Sequence, residues 1–155
     1  MVTDKGEDMS CNVILVATDG TDRARVAVGQ AIALAKATGA TLHAVHVVHP
    51  VLAVGFSDTH AGQIEIDQAR DDVARVRDAI AGQARAEGIS VEVHNPGNDD
   101  AASGIIDTAE SVEADIVVVG NKGMTGLKRF VLSSVPNKVA HNCPRNVMIV
   151  NTESA

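Results

Sequence analysis

Three groups of residues have the types and spacing to do chemistry. The first is the run Ile116-Val117-Val118-Val119, which ends abruptly at Gly120; residues 120–130 then carry Gly123, Gly126, Lys122, Lys128 and Arg129 and no acid, and Ser133 and Ser134 follow. A buried strand, a glycine-rich loop and a new helix, in that order, make an anion site. Glycine lets a phosphate approach the backbone, and the unpaired N–H groups of a first helical turn supply donors. A solvated basic loop is an equal reading of the same residues taken alone. The second group is Asp19, an acid directly after an apolar run, suited to accept hydrogen bonds from ribose hydroxyls and equally suited to order a turn or cap a helix. The third is His43, His46 and His49. Strand periodicity sets His46 on the face opposite the other two, which argues against a shared metal, and leaves His46 to pack or hydrogen-bond near a strand end. The loop lacks the Gly-Lys-Ser/Thr of a Walker A sequence. No acid–base or nucleophile–base pair has a recognisable spacing, and Ser133 and Ser134 have helix capping as their ordinary role.

The elements that would hold these groups alternate along the chain. Residues 12–17 form an apolar run without alternation, as in a strand buried on both faces. Residues 18–22 turn into an Ala-rich helix over 23–38, with Thr21 or Asp22 as N-cap and Gly39 ending it. A strand over 41–48 and a long loop over 50–62 come next. A helix over 63–87 follows, whose Ile66, Ala69, Val73, Val76 and Ile80 make one stripe. Gly88 ends that helix. Residues 90–94 read as a third strand and 95–98 as a turn. A third helix over 99–112 buries Ala102, Ile105, Ile106 and Ala109, and 115–119 is the fourth strand. The last helix spans 134–142 with Pro136 in its first turn, where a missing N–H is harmless. Asn146–Val150 is a fifth strand. The pattern predicts a doubly wound α/β fold: a five-stranded parallel sheet with helices on both faces. With the order 3-2-1-4-5 assumed, the strand order reverses between strands one and four, where such sheets bind ligands, and Asp19 comes beside Gly120. Residues 1–10 read as a flexible arm and 11–155 as a single domain.

Composition narrows the function. The 155 residues are 45% hydrophobic and 21% charged, a globular balance, and Phe56 and Phe130 are the only aromatic side chains of the Phe, Tyr and Trp type. There is no platform for stacking bases of single-stranded nucleic acid. A formal net charge of −7 argues against nucleic-acid and anionic-membrane partners. Cys11 and Cys143 are too few and too far apart for a disulfide framework or a zinc site. The polar first ten residues and the absence of a long apolar run lead to the expectation of a cytoplasmic protein with no membrane partner.

Together these residues resemble the universal stress protein family. Its ATP-binding members carry Gly, two residues, Gly, nine residues, then Gly and Ser or Thr. Gly120 and Gly123 match, and Ser133 and Ser134 stand after nine more residues. Gly-Leu-Lys-Arg-Phe-Val-Leu, Cys-Pro-Arg-Asn-Val-Met-Ile-Val, Ile-Leu-Val-Ala-Thr-Asp-Gly and Leu-His-Ala-Val-His-Val-Val are similar to the family as well. The resemblance covers nearly all of the chain after residue 11. It implies an adenine nucleotide alpha hydrolase-like fold and an ATP site. Ala17, Thr18 and Asp19 would line the adenine and ribose side, and Val47 would meet adenine through its backbone. Val119, Gly120, Lys122 and Gly123 would surround ribose and phosphates, with Ser133, Ser134 and Val135 closing the cradle. Ser133 departs from the pattern, since ATP-binding members have glycine there; its Cβ crowds a phosphate or forbids a positive φ, while its hydroxyl adds a donor.

The resulting expectation is a cytoplasmic stress-response protein that binds ATP and acts by regulation rather than rapid turnover. It has two rivals: a family member without nucleotide that works as a protein-interaction dimer, and a slow ATPase or phosphotransferase with Mg²⁺ bridging the phosphates, disfavoured by the missing base. A homodimer through the edge strand Asn146–Val150 is expected on either reading of the ligand.

Overall fold

The architecture was obtained as a computed structural model that describes residues 10–48, 57–121 and 134–153. The strands are β1 (Val13–Ala17), β2 (Thr41–Val45), β3 (Val91–His94), β4 (Ile116–Gly120) and β5 (Asn146–Val150). The helices are α1 (Ala24–Thr38), α2 (His60–Ala86), α3 (Ala101–Ser111) and α4 (Val135–Asn142). The sheet has the order β3-β2-β1-β4-β5 and every pairing is parallel. The order assumed from the sequence is the observed one.

Alternation along each strand divides the core between two faces. Ile14, Val16, Leu42, Ala44 and Val118 pack on one face with Ala27, Val28, Ala31, Ile32 and Ala35 of α1 and Val76, Ile80 and Ala84 of α2. Leu15, Val45, Val117 and Val119 pack on the other with Ala102, Ile105 and Ala109 of α3 and Val139 of α4. Leu15 and Val16 are both wholly buried, so β1 has no solvent face and its apolar run needs no alternation. The bottom of the sheet is held by one carboxylate. Asp115, just before β4, accepts from the backbone N–H of Asn12 at 2.7 Å and of Val13 at 2.9 Å, and these bonds hold its pKa below the usual carboxylate value.

Several boundaries differ from the sequence reading, each for a local reason. The β2 ladder stops at Val45 rather than 48. Beyond it the chain pairs only intermittently, His46 N–H to the His94 carbonyl at 2.9 Å and Val48 N–H to the Pro96 carbonyl at 3.0 Å, because Pro96 has no N–H with which to continue a ladder. Helix α2 starts three residues early because the Thr59 hydroxyl caps it, accepting from Gly62 N–H at 3.0 Å. Helix α3 takes Asp100 as its N-cap, accepting from Ser103 N–H at 3.2 Å. Its Ile106 is half-buried, and Gly104 and Thr108 are the residues it buries besides Ala102, Ile105 and Ala109. Helix α1 has no side-chain cap in the strict sense: Arg23 occupies the N-cap position, and the Thr21 hydroxyl accepts from Ala24 N–H at 3.3 Å. The expected loop over 50–62 lies outside the described residues up to 56.

The turn between β1 and α1 depends on Gly20. It has φ +77°, and a Cβ there would collide with Cγ2 of Val76 from α2. Both the backbone conformation and the space exclude a side chain. Gly20→Ala is expected to lower stability by about 1–3 kcal/mol, read as a shift in the urea midpoint, whereas the same change at Gly82, where nothing lies within 4 Å of the new Cβ, is neutral or stabilising.

Candidate functional site

The upper end of the sheet holds a pocket of about 440 Å³, the size of a small-molecule site, between the ends of β1 and β4. The crossovers from β1 and β4 run in opposite directions here, which opens a gap between the two strand ends. Eight of the residues proposed from sequence line it: Ala17, Thr18, Asp19, Val47, Val119, Gly120, Ser134 and Val135. Lys122, Gly123 and Ser133 lie outside the described residues.

Each of these is positioned by its element. Thr18 follows β1 directly and its N–H bonds the Val45 carbonyl at 3.0 Å, fixing the strand end against β2. Asp19 is exposed. Its carboxylate accepts from Thr21 N–H at 3.0 Å and from the Thr21 hydroxyl at 2.6 Å, so Asp19 does order the turn while standing at the pocket wall. The same contact commits the Thr21 proton to Asp19 and leaves the Thr21 oxygen to accept from Ala24 N–H. Val47 packs against Gly104 of α3, where an added Cβ would stand 2.8 Å from the Val47 side chain; the glycine lets α3 close on this wall. Gly120 ends β4 with room for a Cβ only at 3.0 Å from Cγ2 of Thr152.

Several lining residues are new. Val45, Ala101, Ile105 and Pro136 line the pocket but carry only packing signatures in the sequence. Thr152 comes from what the sequence presents as a polar tail, yet it is buried, with 2% exposed. Its N–H and hydroxyl bond the Asn121 side-chain oxygen at 2.9 and 3.1 Å, so the chain leaving β5 is pinned to the chain leaving β4. No local motif announces this; the signal lies in the adjacency of β4 and β5. Helix α4 is held to α3 by Lys138, whose ammonium meets the Asp100 carboxylate at 3.2 Å. The Ser103 hydroxyl first, and Lys138 after it, keep the Asp100 carboxyl below its ordinary pKa.

Two residues of this lining each carry a buried polar atom without a hydrogen-bond partner among the described residues: Nδ1 of His46 and Oγ of Ser134. Buried polar groups are nearly always paired, so two such atoms on residues around one cavity set this region apart. Ser134 stands at the N-cap of α4 but its hydroxyl makes no capping bond, so it does not play the ordinary role foreseen for it. His46 lines the same wall instead of simply packing at the strand end. Burial lowers its pKa, against a smaller upward pull from the Asp19 carboxylate, which keeps the ring neutral and one of its nitrogens an acceptor.

The sheet order and the placement of the pocket define a doubly wound α/β protein with a cavity at the topological switch point. The sequence profile of the universal stress protein family matches residues 11–151, and the chain belongs to that family. The universal stress protein YxiE of Bacillus subtilis is 31% identical over 148 residues, covering 90% of this chain and 98% of that protein. A universal stress protein of Methanocaldococcus jannaschii is 28% identical over 141 residues, covering 88% of this chain and 80% of its own. Among solved structures, a universal stress protein in complex with cAMP superposes with a TM-score of 0.72 at 25% identity, covering 92% of this chain and 98% of that one. One from Archaeoglobus fulgidus in complex with dAMP gives a TM-score of 0.65 at 24% identity, covering 89% and 96%, and shares the fold.

The buried neutral His46 makes stability depend on pH. An unfolded histidine titrates near 6.5, and the folded value is lower. Between the two the unfolded chain holds more protons, so stability rises with pH across that window and falls as pH drops below about 6.5. His43, also lowered, first by burial and then by the neighbouring His94, adds a change of the same sign. Urea midpoints measured from about pH 7 to about pH 5.5 are expected to fall, and His46→Gln is expected to remove part of the slope.

Proposed function

We propose that this chain binds an adenine nucleotide, ATP foremost, in the switch-point pocket, and serves in the cytoplasm as a stress-response protein that acts by binding rather than by rapid turnover. The observation that carries this reading is the pair of partnerless buried atoms, His46 Nδ1 and Ser134 Oγ, in one pocket between β1 and β4. The likeness to a family structure solved with cAMP supports an adenine nucleotide as the occupant.

On this reading the apolar side of the pocket, with Val47, Val119 and Ile105, receives the base, and His46 Nδ1 is available to it. Thr18 and Asp19 face the ribose hydroxyls. Gly120 allows the ribose and phosphates close to the backbone, and the start of α4 at Ser134 and Val135 offers donors to the phosphates. The family resemblance adds Lys122, Gly123 and Ser133 to the phosphate side, with Mg²⁺ as the companion of ATP. No side chain among the described pocket residues pairs a base with a nucleophile, which favours retention of the nucleotide over its hydrolysis.

Denaturing the purified protein and analysing what is released is expected to yield adenine nucleotide. Calorimetry on the emptied protein is expected to show ATP binding, and Ser134→Ala is expected to weaken it by about 5–10-fold, the worth of one hydrogen bond. Because Ser134 Oγ has no hydrogen-bond partner among the described residues, the same variant should be no less stable to urea. No released nucleotide together with no heat from ATP or cAMP defeats the proposal.

The same reading includes a homodimer through β5. That strand is a sheet edge and its Ile149 is 44% exposed, a large apolar side chain on an unpaired ladder. Sedimentation is expected to show a dimer at micromolar concentration that Ile149→Lys converts to monomer; a wild-type monomer throughout would rule it out.

A further inference from the structure

The opposite edge of the sheet carries a second cluster, separate from the pocket. In the β2–β3 register His43 stands beside Glu92 and Val45 beside His94, so His43, Glu92 and His94 all project from the same face of the sheet. Their donor atoms converge. His43 Nδ1 lies 3.0 Å from His94 Nε2, 3.8 Å from one Glu92 oxygen, and the other Glu92 oxygen lies 3.9 Å from His94 Nε2. The rings are stacked with centroids 5.2 Å apart and 29° between planes.

We propose that His43 Nδ1, His94 Nε2 and the Glu92 carboxylate bind a divalent transition-metal ion of the zinc class, with solvent in the fourth position. All the donor atoms lie within 4.8 Å of one another. Tetrahedral zinc with ligands at about 2.0–2.1 Å has donor–donor edges of about 3.3 Å. The two imidazoles sit a few tenths of an ångström inside that edge, and the carboxylate about half an ångström outside it. Closing the difference needs only the Glu92 side chain, 70% exposed, to swing inward, while the His43 and His94 side chains, 14% and 26% exposed, are already held by packing. The exposed carboxylate also gives the ion a way in. Two imidazoles and one carboxylate suit Zn²⁺, Co²⁺ or Ni²⁺ far better than Mg²⁺ or Ca²⁺, which prefer oxygen throughout. Ligating rings must be neutral, and burial of His43 already favours its neutral form. The alternative arrangement of the same atoms is a plain imidazole–imidazole hydrogen bond, which places a proton where the ion would sit.

The site does not rest on the nucleotide reading, since no member lines the pocket. The test is titration of tag-free protein with Zn²⁺ in a calorimeter and with Co²⁺ in the visible spectrometer. One ion per chain is expected, with the intense visible bands of tetrahedral cobalt and no thiolate charge-transfer band. His94→Asn is expected to weaken Zn²⁺ by more than the roughly 10–100-fold that loss of a supporting group costs, and Glu92→Gln to weaken it measurably. His60→Gln with His141→Gln, both exposed, should bind as wild type. Zn²⁺ should raise the melting temperature of wild type and not of His94→Asn. Glu92→Gln changes a surface residue and keeps the test decisive if His94→Asn fails to fold. Absence of Zn²⁺ binding at micromolar protein, binding unaltered in both variants, or a cobalt–thiolate band each overturns the proposal.

Discussion

The pocket exists because β1 and β4 end at the same height, and they do so because they begin at the same height. The Asp115 carboxylate, taking two N–H bonds from the chain entering β1, sets that level where the two strands start. Further up, the parallel ladder pairs Val16 with Val118, which brings Thr18 level with Gly120. A slip by one residue would turn Leu15 and Val16 onto each other's faces, and since both are completely buried that slip is forbidden by the core. The pocket end of the sheet is therefore fixed from its opposite end by one ionised side chain and two layers of aliphatic packing.

Much of this was legible in the sequence, for reasons that can be named. Apolar runs without alternation at 12–17 and 116–119 read as strands covered on both faces, and their alternation with amphipathic helices leaves few topologies. Asp19 and Gly120 stood out because each interrupts such a run. What escaped was whatever depends on which strands lie next to which. Thr152 joins the pocket only through the β4–β5 pairing and its bond to Asn121, and nothing in residues 151–153 marks it. His43 was weighed against His46 and His49, its neighbours along the chain, when the partners that reach it, Glu92 and His94, come from the adjacent strand; His49 lies outside the described residues. The cap of α1 moved from Thr21 or Asp22 to Arg23 because only backbone geometry chooses among successive residues of a turn.

The two sheet edges are finished differently. The β3 edge carries a carboxylate and an imidazole in a four-residue strand, which are the features that discourage another strand from adding to it. The β5 edge leaves Ile149 in solvent with no such guard. The pocket lies between these two ends and is tied physically to the second, because Asn121 and Thr152 fasten the exit of β4 to the exit of β5.

The aliphatic core has an optical consequence. With no Trp and no Tyr, and with two Phe as its only benzene rings, the protein is nearly transparent in the near ultraviolet. Its walls were assembled from Val, Ile, Leu and Ala throughout, so no ring of its own would mask a bound purine. Any strong absorption in a purified sample belongs to what the protein carries, and the molecule serves as its own blank.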